Sequence, residues 1–376
     1  MTGDELLATY RQVGGRIETK GKVELASRED FATFYTPGVG TISTHLAKHP
    51  DEAREFSVKK NSVAVISDGS AVLGLGNIGP YGALPVMEGK ALIFKQLANV
   101  DAWPIVLSTQ DTEKIIETII AIAPSFGGIN LEDIAAPQCF EIEKRLIEAL
   151  DIPVMHDDQH GTAIVVLAGL INGAKVVEKE LTELKVVIIG AGAAGAATAK
   201  LLVAAGIKDV VLVDRAGIIV KGRADLSGVK EELAHLTNPR GVTGALEDAM
   251  IGADVVIGLS GGGKLSQEHI KSMSARSMVF ALANPVPEIM PDDAKAAGAA
   301  VIATGRSDFP NQINNALVFP GVFRGVFDAG IRRITDDMKL KAAAALASLV
   351  EAPTADAVMP SILDPKVVPT IANALR

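Results

Sequence analysis

The sequence predicts an α/β protein of two domains. We expect an N-terminal α/β domain over residues 1–155 and a Rossmann-type domain with a doubly wound parallel sheet over residues 156–376, which ends in a helical tail. Three observations predict this fold. Short β-like runs alternate with helical stretches before residue 155, and continuous apolar strands follow from Leu184 onward. The first of these apolar strands leads directly into a glycine-rich turn.

In the first domain, the runs SVAVISDG at 62–69 and WPIVL at 103–107 indicate strands, and TEKIIETIIAIA at 112–123 indicates a helix. The long apolar stretch from Gly161 to Leu181 predicts a helix that connects the domains. In the second domain, the predicted parallel strands lie in KVVIIGAG, DVVLVD, DVVIGLS, SMVFALAN and AAVIATG. The tail carries prolines from Pro353 to Pro369, with helices around them.

Composition narrows the class of protein. Hydrophobic residues make up 48% and charged residues 22% of the 376 residues, which is ample for sizeable cores. A net charge of −9 and the lack of a dense Lys/Arg cluster argue against a nucleic-acid partner. The single cysteine, Cys139, excludes an intramolecular disulfide and fits a reducing compartment. Because neither a targeting peptide nor an apolar run of membrane-spanning length is apparent, we expect a cytoplasmic protein without a membrane partner.

Two acidic pairs suggest a metal site. Asp157 and Asp158 follow an apolar strand and precede an apolar helix, and Glu132 and Asp133 follow Gly-Gly and an apolar run. Each pair alone is equally consistent with a solvated surface or a helix N-cap. Together the pairs can supply three or four oxygen ligands, which favours one hard divalent cation.

The turn after KVVII carries the dinucleotide-binding fingerprint G-x-G-x-x-G. Gly190 permits the tight turn, Gly192 lets a pyrophosphate approach the backbone, and Gly195 lets helix and strand pack closely, with Ala193 and Ala194 between them. The alternative, a glycine-rich turn that binds nothing, is disfavoured because the fingerprint lies directly between a strand and a helix.

The next apolar strand ends in Asp214, where a carboxylate can accept hydrogen bonds from the adenosine ribose. This acid favours NAD. NADP stays open as an alternative, because Arg215, Lys221 and Arg223 follow closely enough for a 2′-phosphate site.

Two further patterns resemble known motifs for binding a nucleotide or zinc. GLGNIG at Gly74 also fits G-x-G-x-x-G, but PYGALP follows, and we expect a substrate-side loop because prolines disfavour a regular helix there. His156 and His160 have the spacing of a zinc-binding helix. The glutamate that a zinc protease needs between them is absent, so we reject that interpretation.

Several long strings together resemble one family. They are FYTPGVG at 34–40, SDGSAVLGLGNIGPYGALPVMEGKALIFK at 67–95, GGINLEDIAAPQCFEIE at 127–143, HDDQHGTA at 156–163, ANPVPEI at 283–289 and GRSDFPNQINNALVFPG at 305–321. In content and order they are similar to malic enzymes of the short-chain prokaryotic type. The resemblance runs from about residue 10 to residue 330.

The resemblance implies oxidative decarboxylation of (S)-malate to pyruvate and carbon dioxide, with NAD or NADP and with Mg²⁺ or Mn²⁺. By the same matching, Lys90 is the general base for the C2 hydroxyl, Asp157 orients Lys90, and Tyr35 donates a proton to C3. We expect apolar neighbours and the metal to lower the pKa of Lys90 toward working pH. A surface lysine and a packed loop tyrosine are the alternatives that the residues alone allow.

The resemblance also assigns the binding residues. Glu132, Asp133 and Asp158 match the metal ligands, and Asn284 and Asn315 match positions that hold substrate and nicotinamide. Amides suit this role because they donate to a carboxylate without adding charge. Long-chain members carry a substrate-binding arginine where this chain has Ala71 and Val72, so another group must hold that carboxylate.

Other functions remain as alternatives. A relative that decarboxylates oxaloacetate, or one that converts malate to lactate with tightly held NAD, would retain the same residues. A nucleotide-binding protein without catalysis is a remote alternative, because the acid, base and metal sets are complete. The resemblance further implies a homodimer with the N-terminal region in its interface.

Overall fold

The structure, a computed structural model, describes residues 2–72 and 74–376. Met1 and Leu73 lie outside the described residues, and Leu73 is part of the segment 67–95 that carries the family resemblance. The described chain forms two β-sheets, each flanked by helices. The predicted α/β class is therefore confirmed. Within the described ranges, no helix is both long and apolar enough to cross a membrane.

The first sheet is entirely parallel. Its strands are β1 (Ser62–Ser67), β2 (Asp101–Val106), β3 (Gly128–Leu131) and β4 (Val154–His156). Their order across the sheet is β2-β1-β3-β4, and Leu131 of β3 lies opposite His156 of β4. The carboxyl ends of β3 and β4 consequently meet at one edge of the sheet.

The second sheet contains all five predicted parallel strands. Its strands are β5 (Lys185–Ile189), β6 (Asp209–Asp214), β7 (Gly217–Ile218), β8 (Val255–Gly258), β9 (Met278–Ala281) and β10 (Val301–Thr304). Their order is β10-β9-β8-β5-β6-β7. Only β7 is antiparallel, and the sequence did not predict it because a two-residue strand carries no periodic signal.

Sixteen α-helices lie in the described chain. They are α1 (Gly3–Val13), α2 (Arg28–Phe34), α3 (Gly38–Lys48), α4 (Ala53–Phe56), α5 (Gly79–Ala98), α6 (Thr112–Ile122), α7 (Gln138–Ala149), α8 (Asp157–Val176), α9 (Ala193–Ala204), α10 (Val229–Leu236), α11 (Leu246–Met250), α12 (Gln267–Ser272), α13 (Pro291–Ala296), α14 (Phe319–Asp328), α15 (Asp336–Ser348) and α16 (Val367–Ala374).

Helix α8 lies in the core that the two sheets share. One continuous apolar cluster contains Val65 of β1, Ile188 of β5 and the buried residues of α8, such as Val166 and Leu167. Separate clusters cover the other face of each sheet. Because α8 packs against both domains, the position of its first turn is fixed from two sides. The predicted boundary between residues 155 and 156 stays a prediction.

Two helix starts differ from the predictions. Asp157 and Asp158, which were predicted to lie between a strand and a helix, form the first turn of α8. The positive end of the helix dipole favours carboxylates there. The segment after GLGNIG is also helical, since α5 begins at Gly79. Pro80 is tolerated there because the first turn of a helix leaves its N–H groups unpaired.

The N-terminal segment packs differently from the rest of the chain. Helices α1, α2 and α3 contain no buried residue. Large apolar side chains are half-exposed on them, including Leu7, Phe31 and Phe34. This segment, residues 2–61, presents an apolar surface that the two sheets do not cover.

Candidate active site

The two acidic pairs meet at the carboxyl edge of the first sheet. Glu132 and Asp133 follow β3, and Asp158 lies in the first turn of α8, directly after β4. Ligand oxygens of these three carboxylates lie within 4.8 Å of one another. The backbone N–H of Asp133 also donates to Asp158 Oδ2 at 2.8 Å, which ties the pairs together. Three clustered carboxylate oxygens are a donor set that fits a hard divalent cation.

Lys90 lies buried beside this cluster. It comes from α5, and its Nζ is 3.0 Å from Glu132 Oε1 and donates a hydrogen bond to Asp157 Oδ2. Asp157 is fully buried, and the ammonium also lies over the Phe319 ring, 4.3 Å from its centroid. The alternative of a solvated surface lysine is therefore wrong.

The pKa of Lys90 is raised, whereas we predicted from the sequence that it would be lowered. Burial lowers this pKa, but the charges of Asp157, Glu132 and Asp158 outweigh burial and raise it above the ordinary value of lysine. The sequence revealed the apolar neighbours of Lys90, whereas its carboxylate neighbours come from other elements. In the protein chain alone, Lys90 is thus protonated at neutral pH.

The glycine fingerprint has the geometry that nucleotide binding requires. Gly190 directly follows β5 and has a positive φ of 110°, and Gly192 is the N-cap of α9. A Cβ on Gly195 would lie 1.9 Å from the carbonyl oxygen of Gly190, so only glycine allows this helix to approach the strand. Ala193 and Ala194 open α9, whose N–H groups point outward at its N-terminus.

Asp214, at the end of β6, is held by two cations. Arg223 donates to both of its oxygens at 2.9 and 2.8 Å, and Lys230 donates to Oδ2 at 2.6 Å. Burial would raise the pKa of Asp214, but these hydrogen bonds lower it to about 2. Of the three cations that the sequence placed near a 2′-phosphate, Arg223 is engaged here, and Lys230 was not predicted.

A cavity of about 470 Å³ joins the two halves of the site. Its lining includes the carboxylate Asp158, the fingerprint residue Ala194, and the amides Asn284 and Asn315. Gly74, from the loop that we predicted on the substrate side, also lines the cavity. The structure therefore brings candidate metal, nucleotide and substrate residues to one space.

Tyr35 does not line this cavity. It caps α2 at the C-terminus of that helix, its exposed fraction is 65%, and it is not among the residues that line the cavity. In one copy of the described chain, the predicted proton donor is thus exposed and outside the lining of the cavity.

Two buried carboxylates near the site, Glu143 and Glu288, were not predicted from the sequence. Glu143 accepts hydrogen bonds from His160 Nε2 at 2.9 Å and from the backbone N–H of His156 at 2.7 Å. The sequence did contain a signal that Glu143 is buried, because this glutamate lies on the apolar face of α7 together with Cys139 and Leu146.

Glu288 is the second missed carboxylate. It is fully buried and accepts the backbone N–H groups of Ser260 and Ala283 at 3.3 and 3.1 Å. These two residues line the cavity from the loops after β8 and β9, so Glu288 links both loops. It lies in the string 283–289 that carries the family resemblance, but nothing there distinguished it, because its partners are backbone N–H groups 5 and 28 residues away.

A Rossmann sheet with this fingerprint, next to a buried lysine and clustered carboxylates, is characteristic of nicotinamide-dependent oxidoreductases. Comparison with known families makes this specific. Residues 14–147 match the family model described as malic enzyme, N-terminal domain, and residues 159–374 match malic enzyme, NAD binding domain. The chain belongs to the malic enzyme family.

Individual proteins that are similar to this chain are also named as malic enzymes. The chain is 53% identical to a protein named NAD-dependent malic enzyme from Geobacillus stearothermophilus, over 96% of this chain and 76% of that protein. It is 49% identical to the bifunctional malic/malolactic enzyme of Bacillus subtilis (strain 168), over 99% and 92%. A crystal structure of the NAD-dependent malic enzyme from Thermotoga maritima superposes with a TM-score of 0.95 at 49% identity, covering 98% of both chains. The predicted family and class of enzyme are confirmed.

Substitutions of two fingerprint glycines should have different effects. In Gly195→Ala the new methyl group meets the backbone of Gly190, so we expect lower stability, by about 1–3 kcal/mol, and lost nucleotide binding. In Gly192→Ala no described protein atom lies within 4 Å of the new Cβ, so stability should stay unchanged while nucleotide affinity falls. Denaturant unfolding and calorimetric titration with NAD measure both effects. Unchanged NAD affinity in Gly192→Ala would contradict the placement of the pyrophosphate.

Proposed function

We propose that this protein catalyses metal-dependent oxidative decarboxylation of (S)-malate to pyruvate and carbon dioxide, with reduction of a nicotinamide cofactor. The observation that carries the proposal is the shared cavity. Asp158 of the carboxylate cluster and Ala194 of the fingerprint line the same space, and Lys90 contacts that cluster. Hydride transfer requires a base, a substrate and a nicotinamide ring in such proximity.

The residues of the chain have distinct proposed roles. Lys90, once deprotonated, takes the proton of the C2 hydroxyl, and Asp157 holds its ammonium in place through a buried hydrogen bond. Asn284 and Asn315 hold substrate and nicotinamide in the cavity through their amides. Tyr35 donates the proton to C3 in the homodimer proposed below, since one copy of the chain leaves it exposed and outside the cavity.

Glu132, Asp133 and Asp158 are the proposed ligands of Mg²⁺ or Mn²⁺, because these hard cations prefer oxygen ligands. When bound, such a cation supplies Lewis acidity toward substrate oxygens and positive charge that offsets the carboxylates beside Lys90. This offset favours the neutral form of Lys90 that base catalysis needs.

The proposal is tested first at Lys90. With malate and Mn²⁺, Lys90→Ala should lower kcat by at least about 10²–10⁴-fold, because no other group replaces the base. Binding of the nucleotide should persist, since Lys90 contacts the carboxylates rather than the fingerprint. Reduced cofactor is followed by absorbance and pyruvate by its own assay, with a chelator control.

Lys95→Ala is the matched control, because Lys95 lies on the same helix with an exposed side chain. Wild-type turnover in Lys90→Ala would refute the role of Lys90. Lactate from malate, without free reduced cofactor, would instead favour malolactic activity, a candidate that the similarity to the bifunctional enzyme of Bacillus subtilis supports. Pyruvate from oxaloacetate alone would favour a decarboxylase.

NAD is the proposed preferred cofactor. Asp214 is ionised at neutral pH and lies where ribose hydroxyls bind. Arg223 and Lys230 are engaged by this carboxylate, so a 2′-phosphate of NADP would have to compete with Asp214 for them. Two of the cations that could bind a 2′-phosphate, Arg223 and Lys230, are thereby occupied.

Removal of this carboxylate should shift the preference. In Asp214→Ser, Arg223 and Lys230 are released, and the ratio of kcat/KM for NADP over NAD should rise about tenfold or more, since charge-assisted hydrogen bonds contribute about 1.5–3 kcal/mol. Asp225→Ser is the control, because Asp225 contacts Arg223 from a more exposed position. A ratio that stays constant in Asp214→Ser would place cofactor selection elsewhere.

We also propose a homodimer in which residues 2–61 pack against a second copy. Half-exposed apolar side chains on α1–α3 support this interface, and Tyr35 lies in the same segment. Residence in the cytoplasm stays a prediction from the sequence.

Charges placed on this surface should separate the dimer. For Phe31→Glu combined with Phe34→Glu, we expect sedimentation as a monomer and loss of activity, because buried charges oppose association. Leu363→Glu, at an exposed position outside the segment, should sediment like the wild type. A wild-type monomer, or a dimer that persists in the double variant, would refute this interface.

A further inference from the structure

Glu143 is a buried carboxylate that the proposed reaction does not use. It lies on the inner face of α7 with 6% of its surface exposed. A buried carboxylate is unfavourable unless hydrogen bonds replace its lost hydration. Here both oxygens have partners. Oε1 accepts the backbone N–H of His156 at 2.7 Å, and Oε2 accepts from Gln159 Nε2 at 3.1 Å and from His160 Nε2 at 2.9 Å.

All three donors surround the start of α8. His156 is the N-cap residue of this helix, but its side chain makes no capping hydrogen bond. The carboxylate of Glu143, from a different helix, accepts the N–H of this residue instead. Gln159 and His160 lie in the first turn, so Glu143 holds the helix start at three points.

The two residues between these contacts belong to the candidate site. Asp157 accepts a hydrogen bond from Lys90, and Asp158 accepts the N–H of Asp133 and belongs to the carboxylate cluster. A shift or rotation of the first turn would move both carboxylates at once. The contacts of Glu143 therefore fix the turn that carries them.

We propose that Glu143 is a positioning residue for the cation site, which it supports by fixing the first turn of α8 and with it Asp158. This inference rests on the proposed function, because it assumes that Glu132, Asp133 and Asp158 bind Mg²⁺ or Mn²⁺. Groups that orient metal ligands affect metal affinity strongly, and their loss lowers it about 10–100-fold.

The test is direct Mn²⁺ binding to the purified full chain, measured by electron paramagnetic resonance without substrate. In Glu143→Gln, one carboxylate oxygen becomes an NH₂ group that cannot accept a hydrogen bond, and the negative charge that holds the three donors is removed, so the contacts of Glu143 are weakened. We expect the dissociation constant for Mn²⁺ to rise about tenfold or more. Affinity for NAD, measured by calorimetry, should stay at the wild-type value because the fingerprint is unaffected.

Glu141→Gln is the matched control. Glu141 lies on the same helix with an exposed side chain, and its contact with Arg145 is 3.4 Å long. This variant should bind Mn²⁺ like the wild type. Equal affinity of wild type and Glu143→Gln would overturn the inference while leaving the proposed metal site intact. Failure of the wild type to bind Mn²⁺ would overturn the proposed function and the inference with it.

A second pair of variants covers the case in which Glu143→Gln does not fold. His160→Leu removes one donor to Glu143, and His160→Gln retains an N–H donor at this position. We expect Mn²⁺ affinity to fall several-fold in His160→Leu and to be largely restored in His160→Gln. Equal affinities in both variants and the wild type would overturn the inference.

Discussion

The ion pairs of Lys90 with Asp157 and Glu132 are the interaction on which the architecture of the candidate site depends. Burial of clustered carboxylates costs several kcal/mol per charge unless positive charge and hydrogen bonds offset it. Lys90 comes from α5, Glu132 follows β3 and Asp157 begins α8, so one buried ammonium connects three elements. Removal of Lys90 would leave both buried carboxylates without this cation.

Helix α8 connects these ion pairs to the packing of both domains. Its first turn carries Asp157 and Asp158, and its apolar body packs in the core that both sheets share. The distance between the carboxylate cluster and the fingerprint is thus set by side-chain packing, which tolerates little displacement. A cavity lined from both domains is the result.

Charge also shapes the nucleotide end of the site. Asp214 lies at the position where this fold usually has a carboxylate that accepts hydrogen bonds from the ribose. It also pairs with two cations, Arg223 and Lys230. Such an arrangement keeps the carboxylate ionised and, at the same time, neutralises the cations around it. Discrimination between nucleotides is then a competition for the same hydrogen bonds.

The sequence by itself determined the fold class, the five parallel strands of the second sheet and the fingerprint. These features have local signals, namely apolar runs, glycine spacing and turn residues. It also suggested that the acidic pairs Glu132–Asp133 and Asp157–Asp158 share one cation, and the family resemblance reduced the proposed ligands to Glu132, Asp133 and Asp158.

Only the tertiary structure decided which groups surround each titratable side chain. The raised pKa of Lys90 arises between elements that are distant in the chain. The contacts of Asp214 and Glu143 span only 9–17 residues, but they join side chains that no local pattern pairs. Tyr35 shows the same limit, because its motif was recognisable but its exposed position was not. Electrostatic environment depends on distances in space, and a sequence pattern encodes those only where neighbours along the chain are also neighbours in the fold.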